Sequence, residues 1–123
     1  MSGIRHGSVD ELPVERAFAG VERRRVDGRN MTVLRYWFEA GAAHGLHVHP
    51  EEQLMLIEAG SARLHTDDGV IEVGAGDWTV VAPEVRHGLE AGPDGVQLLV
   101  VLSPRRTAGY ETTPLPGSTG DTP

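Results

Sequence analysis

The distribution of apolar and polar positions along the chain predicts short β-strands separated by tight turns. Residues 31–39 form a run of β-branched, aromatic and other apolar side chains that ends at Ala40-Gly41. Similar runs follow at residues 53–58, 61–66, 70–73, 78–81 and 96–102, and turn residues separate most of them. We expect a hairpin turn at residues 67–69 and another turn at residues 92–95. This rhythm is typical of a β-sandwich or β-barrel, so the predicted fold class is all-β.

The two ends of the chain differ from this middle part. Residues 1–30 are polar and irregular, and we expect an N-terminal arm, with a turn of helix around residues 9–19, that packs on a barrel formed by residues 31–104. Residues 105–123 form a C-terminal extension rich in Thr, Pro, Gly and Ser, which we expect to be mobile toward its end. The run from Val96 to Leu102 is apolar at nearly every position. Both of its faces should therefore be covered, which favours a homodimer.

Composition excludes several classes of function. The chain has 123 residues, a net charge of −7, no cysteine and no lysine. Disulfides, thiolate metal sites and Schiff-base chemistry are therefore excluded, and the negative charge argues against nucleic acid as a partner. Neither a bilayer-spanning segment nor a secretory signal is visible, so we expect a cytoplasmic protein that does not bind membranes.

Three histidines and a glutamine have a spacing suited to metal binding. His47 and His49 are two residues apart and share a face in a strand, and Gln53 joins that face if the chain stays extended. His87 follows the loop that contains Pro83. Three imidazoles and an amide oxygen would suit Zn, Ni, Mn, Fe, Co or Cu and leave coordination positions open. Two exposed strand histidines are the alternative, because an isolated His-x-His pair often occurs by chance.

The glycines around these residues resemble the two motifs of the cupin family. Gly41, His47, His49, Gln53 and Gly60 keep every spacing of the first motif, with Gln53 in the position that glutamate usually has. The second motif resembles residues 76–87, in which Gly76, Asp77, Pro83 and His87 are retained. The resemblance implies a cupin barrel, also called a double-stranded β-helix or jelly roll, with one divalent metal ion per chain. Gln53 makes the ligand set neutral, which favours Lewis-acid catalysis over redox cycling.

Within the cupins, the chain resembles the small KdgF-like monocupins over residues 10 to 110. The segment from His47 to Gln53 reads HVHPEEQ, and that from Leu102 to Arg106 reads LSPRR, close to the family's closing FSPPR. The resemblance implies a metal that gathers sugar oxygens while unsaturated uronates are converted to linear keto forms. It also places Arg106 at the family's pocket arginine. The family's pocket aspartate falls on Val100 and its phenylalanine on Leu102, so the carboxylate that would move protons is absent from that position.

Arg35, Arg106 and Glu52 are the candidate catalytic residues. Arg35 and Trp37 share one strand parity, and we expect both to face the pocket beside Leu98, Val100 and Leu102. Glu52 is the candidate general base, and with Glu51 we place it at the rim. His44 is expected in a loop without a partner, and the alternative is that it reaches the rim as an acid/base or a fifth ligand. His65 is expected at the surface. Trp78 is expected in the core.

Three functions are compatible with these residues. The first is a Lewis-acid isomerase, cyclase or lyase that acts on a small enolisable substrate related to sugar uronates or polyketides. The second is an iron- or copper-dependent dioxygenase, which would use the same histidines. The third is a small-molecule-binding cupin without turnover. We favour an enzyme of the first kind.

Overall fold

A computed structural model describes residues 3–109 and 112–115, in which eight strands form one sheet. Most of the C-terminal segment for which we predict mobility lies outside the described residues. The strands are Glu15–Phe18 (β1), Val21–Asp27 (β2), Thr32–Phe38 (β3), Ala43–His47 (β4), Glu52–Thr66 (β5), Gly69–Gly74 (β6), Trp78–Val81 (β7) and His87–Ser103 (β8). The prediction of an all-β fold is confirmed. Among the described residues, no helix has the length and apolar character needed to cross a membrane.

Two long strands organise the sheet. β5 and β8 pair with each other in an antiparallel manner, from Glu52 opposite Ser103 to Thr66 opposite His87. The strand order is β1-β2-β3-β8-β5-β6, while β4 pairs with β8 and β7 pairs with β5. β8 therefore lies beside β4 at its first half and beside β3 at its second half. This arrangement places His87, the first residue of β8, directly opposite His47 at the end of β4.

The two long strands continue through positions at which the sequence pattern predicts that a strand ends. The predicted strands 53–58 and 61–66 form one strand, and the predicted turn at residues 92–95 is a bulge within β8. These four residues lie opposite Ser61, between the pairs Gly60–Val96 and Ala62–Ala91. Gly60 has a φ of 77°, and a Cβ there would lie 2.1 Å from the carbonyl oxygen of Gly95. A side chain at residue 60 would therefore prevent the close approach of the two strands.

The sheet begins upstream of Met31. β2 pairs with β3 along its whole length, from Val21 opposite Phe38 to Asp27 opposite Thr32, and β1 pairs with β2. The predicted arm is thus confined to the residues before β1. The helix expected around residues 9–19 is reduced to a single 3-10 turn, Val9–Glu11.

The inner face of the sheet carries the apolar core. On β3, the inward residues Leu34, Tyr36 and Phe38 are buried, whereas Arg35 and Trp37 lie on the outer face. The expectation that Arg35 and Trp37 face inward is therefore wrong. The inward position of Leu98, Val100 and Leu102 on β8 is confirmed, and the pairing of Leu34 with Val100 fixes the parity of β3.

Two further parts of the chain are the strand that begins at Trp78 and the described C-terminal residues. Trp78 is 67% exposed, so the prediction that it lies in the core is wrong. Val81, at the other end of β7, points inward instead, because it pairs with the buried Gln53 of β5. The C-terminal segment returns to β4, where Thr113 and Leu46 exchange two backbone hydrogen bonds. Leu115 is buried there against Ala43 and Leu46.

Candidate metal centre

Four predicted ligands lie together at one end of the inner face. His47 ends β4, and His49 follows two residues later on the same side, while the intervening Val48 is 39% exposed. Gln53 enters from β5 and His87 from the start of β8. All four side chains are buried, with residue exposures between 2% and 7%. β4 and β5 both pair with β8, so the sheet topology brings these four side chains together at one point.

The three imidazoles are close enough to share one ion. A nitrogen of each ring lies within 4.8 Å of the corresponding nitrogens of the other two. The ring centroids are 4.3 Å apart for His47 and His87, 4.9 Å for His49 and His87, and 5.5 Å for His47 and His49. The three buried histidines could therefore hold a metal ion.

Backbone carbonyls fix the tautomer of each of these rings. Each Nδ1 donates a hydrogen bond to a carbonyl oxygen: His47 to Gly45 at 2.6 Å, His49 to Glu51 at 3.0 Å and His87 to Val85 at 2.8 Å. Because a carbonyl can only accept, Nδ1 carries the proton and Nε2 presents its lone pair. Orientation of this kind is a usual feature of metal-ligating histidines. The buried Nε2 of His87 has no hydrogen-bond partner among residues 3–109 and 112–115.

The position of Gln53 also fits a cation. Its Oε1 lies 3.2 Å from Nε2 of His49. Since Nδ1 of His49 already donates to Glu51, a neutral His49 ring has only an acceptor at Nε2, and two acceptors face each other. A cation between the two atoms would remove this conflict, as would rotation of the amide group. The donor set of three imidazoles and one amide oxygen therefore fits a divalent transition metal.

Burial keeps His47 and His87 neutral. The pKa of His47 is lowered to about 3, mainly because burial removes solvent from the ring and secondly because His87 lies nearby. Burial lowers the pKa of His87 as well, against the opposing effect of its hydrogen bond to Val85. Neutral imidazole is the form that binds metals, so no proton has to be removed at neutral pH.

A narrow cavity of about 30 Å³ adjoins the site. Its walls are mostly apolar, and His44, His47, Gln53 and His87 line it together with Tyr36 and Arg106. No aspartate or glutamate is among the described residues that line it. The space suffices for one or two water molecules or a very small ligand. The cavity thus combines a neutral donor set with one positive charge.

The candidate catalytic residues are distributed differently from the prediction. Arg106 lines the cavity, in accord with its predicted place. Arg35 lies outside, where its Nε donates to Oε1 of Glu58 at 3.2 Å. Glu52 is exposed because it alternates with the inward Gln53 along β5, so it does not face the metal centre. Of the three candidates, the structure brings only Arg106 to the site.

Two polar residues near the centre, His44 and Glu51, are buried where a loop and a rim position are expected. His44 is part of β4, not of a loop, and its ring stacks on that of His47 with the centroids 4.0 Å apart. Burial, followed by the charge of His47, lowers the pKa of His44 to about 2. Glu51 is 6% exposed, not at the rim, and its Oε1 lies 3.5 Å from Nδ1 of His49. Neither residue has a motif position, and β4 is buried at every residue, so no alternation in the sequence marks His44.

The surface position expected for His65 is also wrong. His65 is 8% exposed, and its Nε2 lies 3.2 Å from Oε1 of Glu90 on the neighbouring β8. Leu64 and His65 are both buried although they alternate in the strand, because the neighbouring long strand supplies a polar partner on the second face. His65 is therefore a buried histidine outside the candidate metal centre.

Solved structures similar to this one are cupins. An RmlC-like cupin from Shewanella frigidimarina is 26% identical, with a TM-score of 0.75, and the match covers 81% of this chain and 90% of that one. A variant of the Bacillus subtilis oxalate decarboxylase OxdC is 21% identical with a TM-score of 0.77, covering 86% of this chain but 31% of the enzyme. The oxalate decarboxylase of Lactobacillus farciminis, as its formate complex, is 21% identical with a TM-score of 0.73, covering 83% and 33%. These two enzymes show the fold alone, and the chain spans about a third of their length.

Sequence comparison gives the family. No curated protein sequence matches the chain significantly. Residues 32–112 match the profile of the AraC-like ligand binding domain. The matched segment begins with β3, contains all four candidate ligands and covers about two thirds of the chain. The chain, a cupin in its fold, therefore belongs to the family of AraC-like ligand binding domains.

Proposed function

We propose that the protein is a metal-dependent enzyme that acts on a small, oxygenated, enolisable anion by Lewis-acid catalysis. The observation that supports this most is the neutral donor set of His47, His49, His87 and Gln53 beside the guanidinium of Arg106. A bound divalent ion would supply Lewis acidity at the open coordination positions. Because Gln53 adds no negative charge, the ion's charge would act undiminished on a ligand in the cavity.

The chain's own residues would bind and orient the substrate. Arg106 can pair with a carboxylate or enolate oxygen, which guanidinium groups bind strongly. The apolar walls would exclude water and so strengthen these polar contacts. The hydroxyl of Tyr36 accepts a hydrogen bond from Nη1 of Arg23 at 3.2 Å. Its own proton is therefore available for donation, and Tyr36 lines the cavity, so we assign it the role of proton donor.

The cavity also bears on the class of substrate. Val100, at the position of the KdgF-like aspartate, lines the cavity and cannot move a proton. Few polar groups are present to bind the hydroxyls of a sugar uronate, so the walls favour a less hydroxylated enol of the polyketide type. A substrate larger than a few atoms would require the cavity to widen.

Elemental analysis followed by metal reconstitution tests the proposal. We expect about one equivalent of metal per chain, and activity on enolisable carboxylates with zinc in the absence of oxygen. Activity only with iron or copper and oxygen would replace the proposal by a dioxygenase. Absence of metal after purification and after reconstitution would contradict every metal-dependent function.

A second candidate function is ligand binding without turnover. The lack of carboxylates among the described cavity residues favours it, because a general base of the usual kind is missing. It would be supported by saturable binding of a small carboxylate to the metal-loaded protein without product for any metal. In the proposed enzyme the same carboxylate would be consumed.

The assembly and location expected from the sequence stay proposals. Leu56, Trp78 and Val80 form an exposed apolar ridge on β5 and β7, where a second copy of the chain could pack. We propose a homodimer through this ridge, and light scattering on the purified protein tests it. A cytoplasmic location likewise stays a prediction.

A further inference from the structure

A second concave site lies on the outer face of the sheet, separate from the metal centre. It is a groove of about 480 Å³ between the N-terminal segment and strands β2, β3 and β8. Residues 5–9 and Leu12 form one wall. The other wall consists of Arg24, Val26, Val33, Arg35 and Leu99. Its volume is that of a typical small-molecule site.

Strand register explains the composition of the groove. Val26 pairs with Val33 across β2 and β3, Arg24 pairs with Arg35, and Arg35 pairs with Leu99 of β8. These residues share the outer face because their neighbours on β3, Leu34 and Tyr36, point inward. The sheet therefore presents an apolar strip directly beside two guanidinium groups.

Hydrogen bonds hold the N-terminal segment over this strip. Nη1 of Arg24 donates to the carbonyl oxygen of Val9 at 3.1 Å, and Nη2 of Arg5 donates to the carbonyl oxygen of Asp27. The groove is therefore bounded by contacts at both ends of the segment.

The charge of the groove is opposite to that of the chain. Arg5, Arg24 and Arg35 line it, whereas no acidic residue does so among the described residues. The chain as a whole has 18 acidic and 11 basic residues. Each guanidinium has five N–H groups, and in residues 3–109 and 112–115 the side chain of Arg24 bonds only to Val9 and that of Arg35 only to Glu58. Most of their donors are thus available to a ligand.

We propose that this groove binds an amphipathic carboxylate, a molecule with an aromatic or other flat apolar body and one carboxylate group. Val26, Val33 and Leu99 would contact the apolar body, and Arg24 and Arg35 would pair with the carboxylate. Guanidinium groups bind carboxylates in a bidentate manner and also stack on aromatic faces. The site requires no metal, so it is independent of the function proposed above.

Calorimetric titration with 2-naphthoate tests the proposal, with the neutral 2-naphthamide as the control ligand. We expect one molecule of 2-naphthoate to bind per chain, and 2-naphthamide to bind at least about tenfold more weakly. Arg35→Ala should weaken 2-naphthoate binding by about tenfold or more, because one charged donor is lost. Arg63→Ala is the matched control, since Arg63 is also an exposed arginine paired through Nε with a glutamate, Glu72, at 3.2 Å.

Two measurements separate the groove from the barrel cavity. Arg106→Ala should leave 2-naphthoate affinity unchanged, and amide NMR shifts on addition of 2-naphthoate should change for residues 5–12 and 33–35. The proposal would be overturned by an absence of saturable binding, by equal affinities for the two ligands, or by equal effects of Arg35→Ala and Arg63→Ala. Loss of binding in Arg106→Ala with none in Arg35→Ala would place the ligand in the barrel and overturn it as well.

Discussion

The inner and outer faces of β3 and β8 carry opposite kinds of chemistry. Inside, Leu34 and Leu98 are 1% exposed, and the polar groups beside this core are neutral imidazoles with their Nδ1 atoms bound to carbonyls. Outside, Arg35 keeps its charge in contact with solvent and Glu58, next to the apolar Leu99. Burial excludes unpaired charge and leaves imidazole lone pairs that suit a metal cation. Exposure permits charge and therefore suits recognition of anions.

The largest expected effect is the loss of bound metal when a histidine of the metal centre is replaced, compared with a buried histidine outside it. His47→Ala and His87→Ala should each reduce bound metal to below about a tenth of the wild-type content, since a site that keeps two imidazoles binds far more weakly. His65→Ala is the matched control, because His65 is also buried but bonds to Glu90. Metal content is measured by plasma mass spectrometry after dialysis. Full occupancy in both ligand variants would show that the metal binds elsewhere.

Local patterns along the chain predict part of this fold and site. Alternation and turn residues indicate the all-β class, and the spacing of His47, His49, Gln53 and His87 identifies four side chains that the structure brings together. Spacing is informative here because residues two apart in a strand share a face whatever the remainder of the fold. The predictions that depend only on local strand geometry therefore agree with the structure.

Long-range packing determines the features that the sequence does not predict. Both faces of β3 carry large side chains, so alternation cannot tell whether Leu34 or Arg35 faces inward until β8 is placed beside it. His44 is buried because Phe18, from the distant β1, packs on it with ring centroids 4.4 Å apart. The bulge at residues 92–95 resembles a turn in sequence, because glycine and proline favour both.

Adjacent leucines on β8 provide a stability test of the two faces. Leu98→Ala should lower the free energy of unfolding by about 2–5 kcal/mol, because it leaves a cavity in the core. Leu99→Ala should lower it by about 1 kcal/mol or less, since Leu99 is only partly buried on the outer face. Urea unfolding followed by circular dichroism measures both. Equal losses would indicate that a second molecule covers the outer face of β8.

Acid should destabilise the metal-free protein through its inner histidines. The pKa values of His44 and His47 are lowered to about 2 and about 3, whereas in the unfolded chain they lie near 6.5. The unfolded chain thus takes up protons below about pH 6.5 that the folded chain does not. The free energy of unfolding is therefore unaffected by these histidines above about pH 6.5. It decreases as the pH falls from about 6.5 toward their pKa values in the folded protein. At pH 5 the loss is about 2 kcal/mol for each histidine.

Unfolding free energies at pH 7.5 and pH 5, with a chelator present, measure this effect. Asp27 does not interfere, because its pKa is lowered from 3.8 by the hydrogen bond from Arg25, so its contribution is lost only below that pH. His44→Phe should remove part of the pH dependence. A free energy that is the same at pH 5 and pH 7.5 would show that these histidines are accessible to protons in the folded state.

The smallest expected effect is on formate binding, and it compares Arg106 on the inner face with Arg35 on the outer face. In the cobalt-substituted protein, formate is small enough for the inner cavity, and its binding can be followed by the visible spectrum of the metal. Arg106→Ala should weaken formate binding by about tenfold, because a charge-assisted hydrogen bond is lost, while cobalt content stays the same. Arg35→Ala should leave formate affinity unchanged, since Arg35 lies on the other side of the sheet. If both variants weakened formate binding equally, the net charge of the protein and not the position of Arg106 would determine affinity for anions, and the two faces would not be functionally distinct.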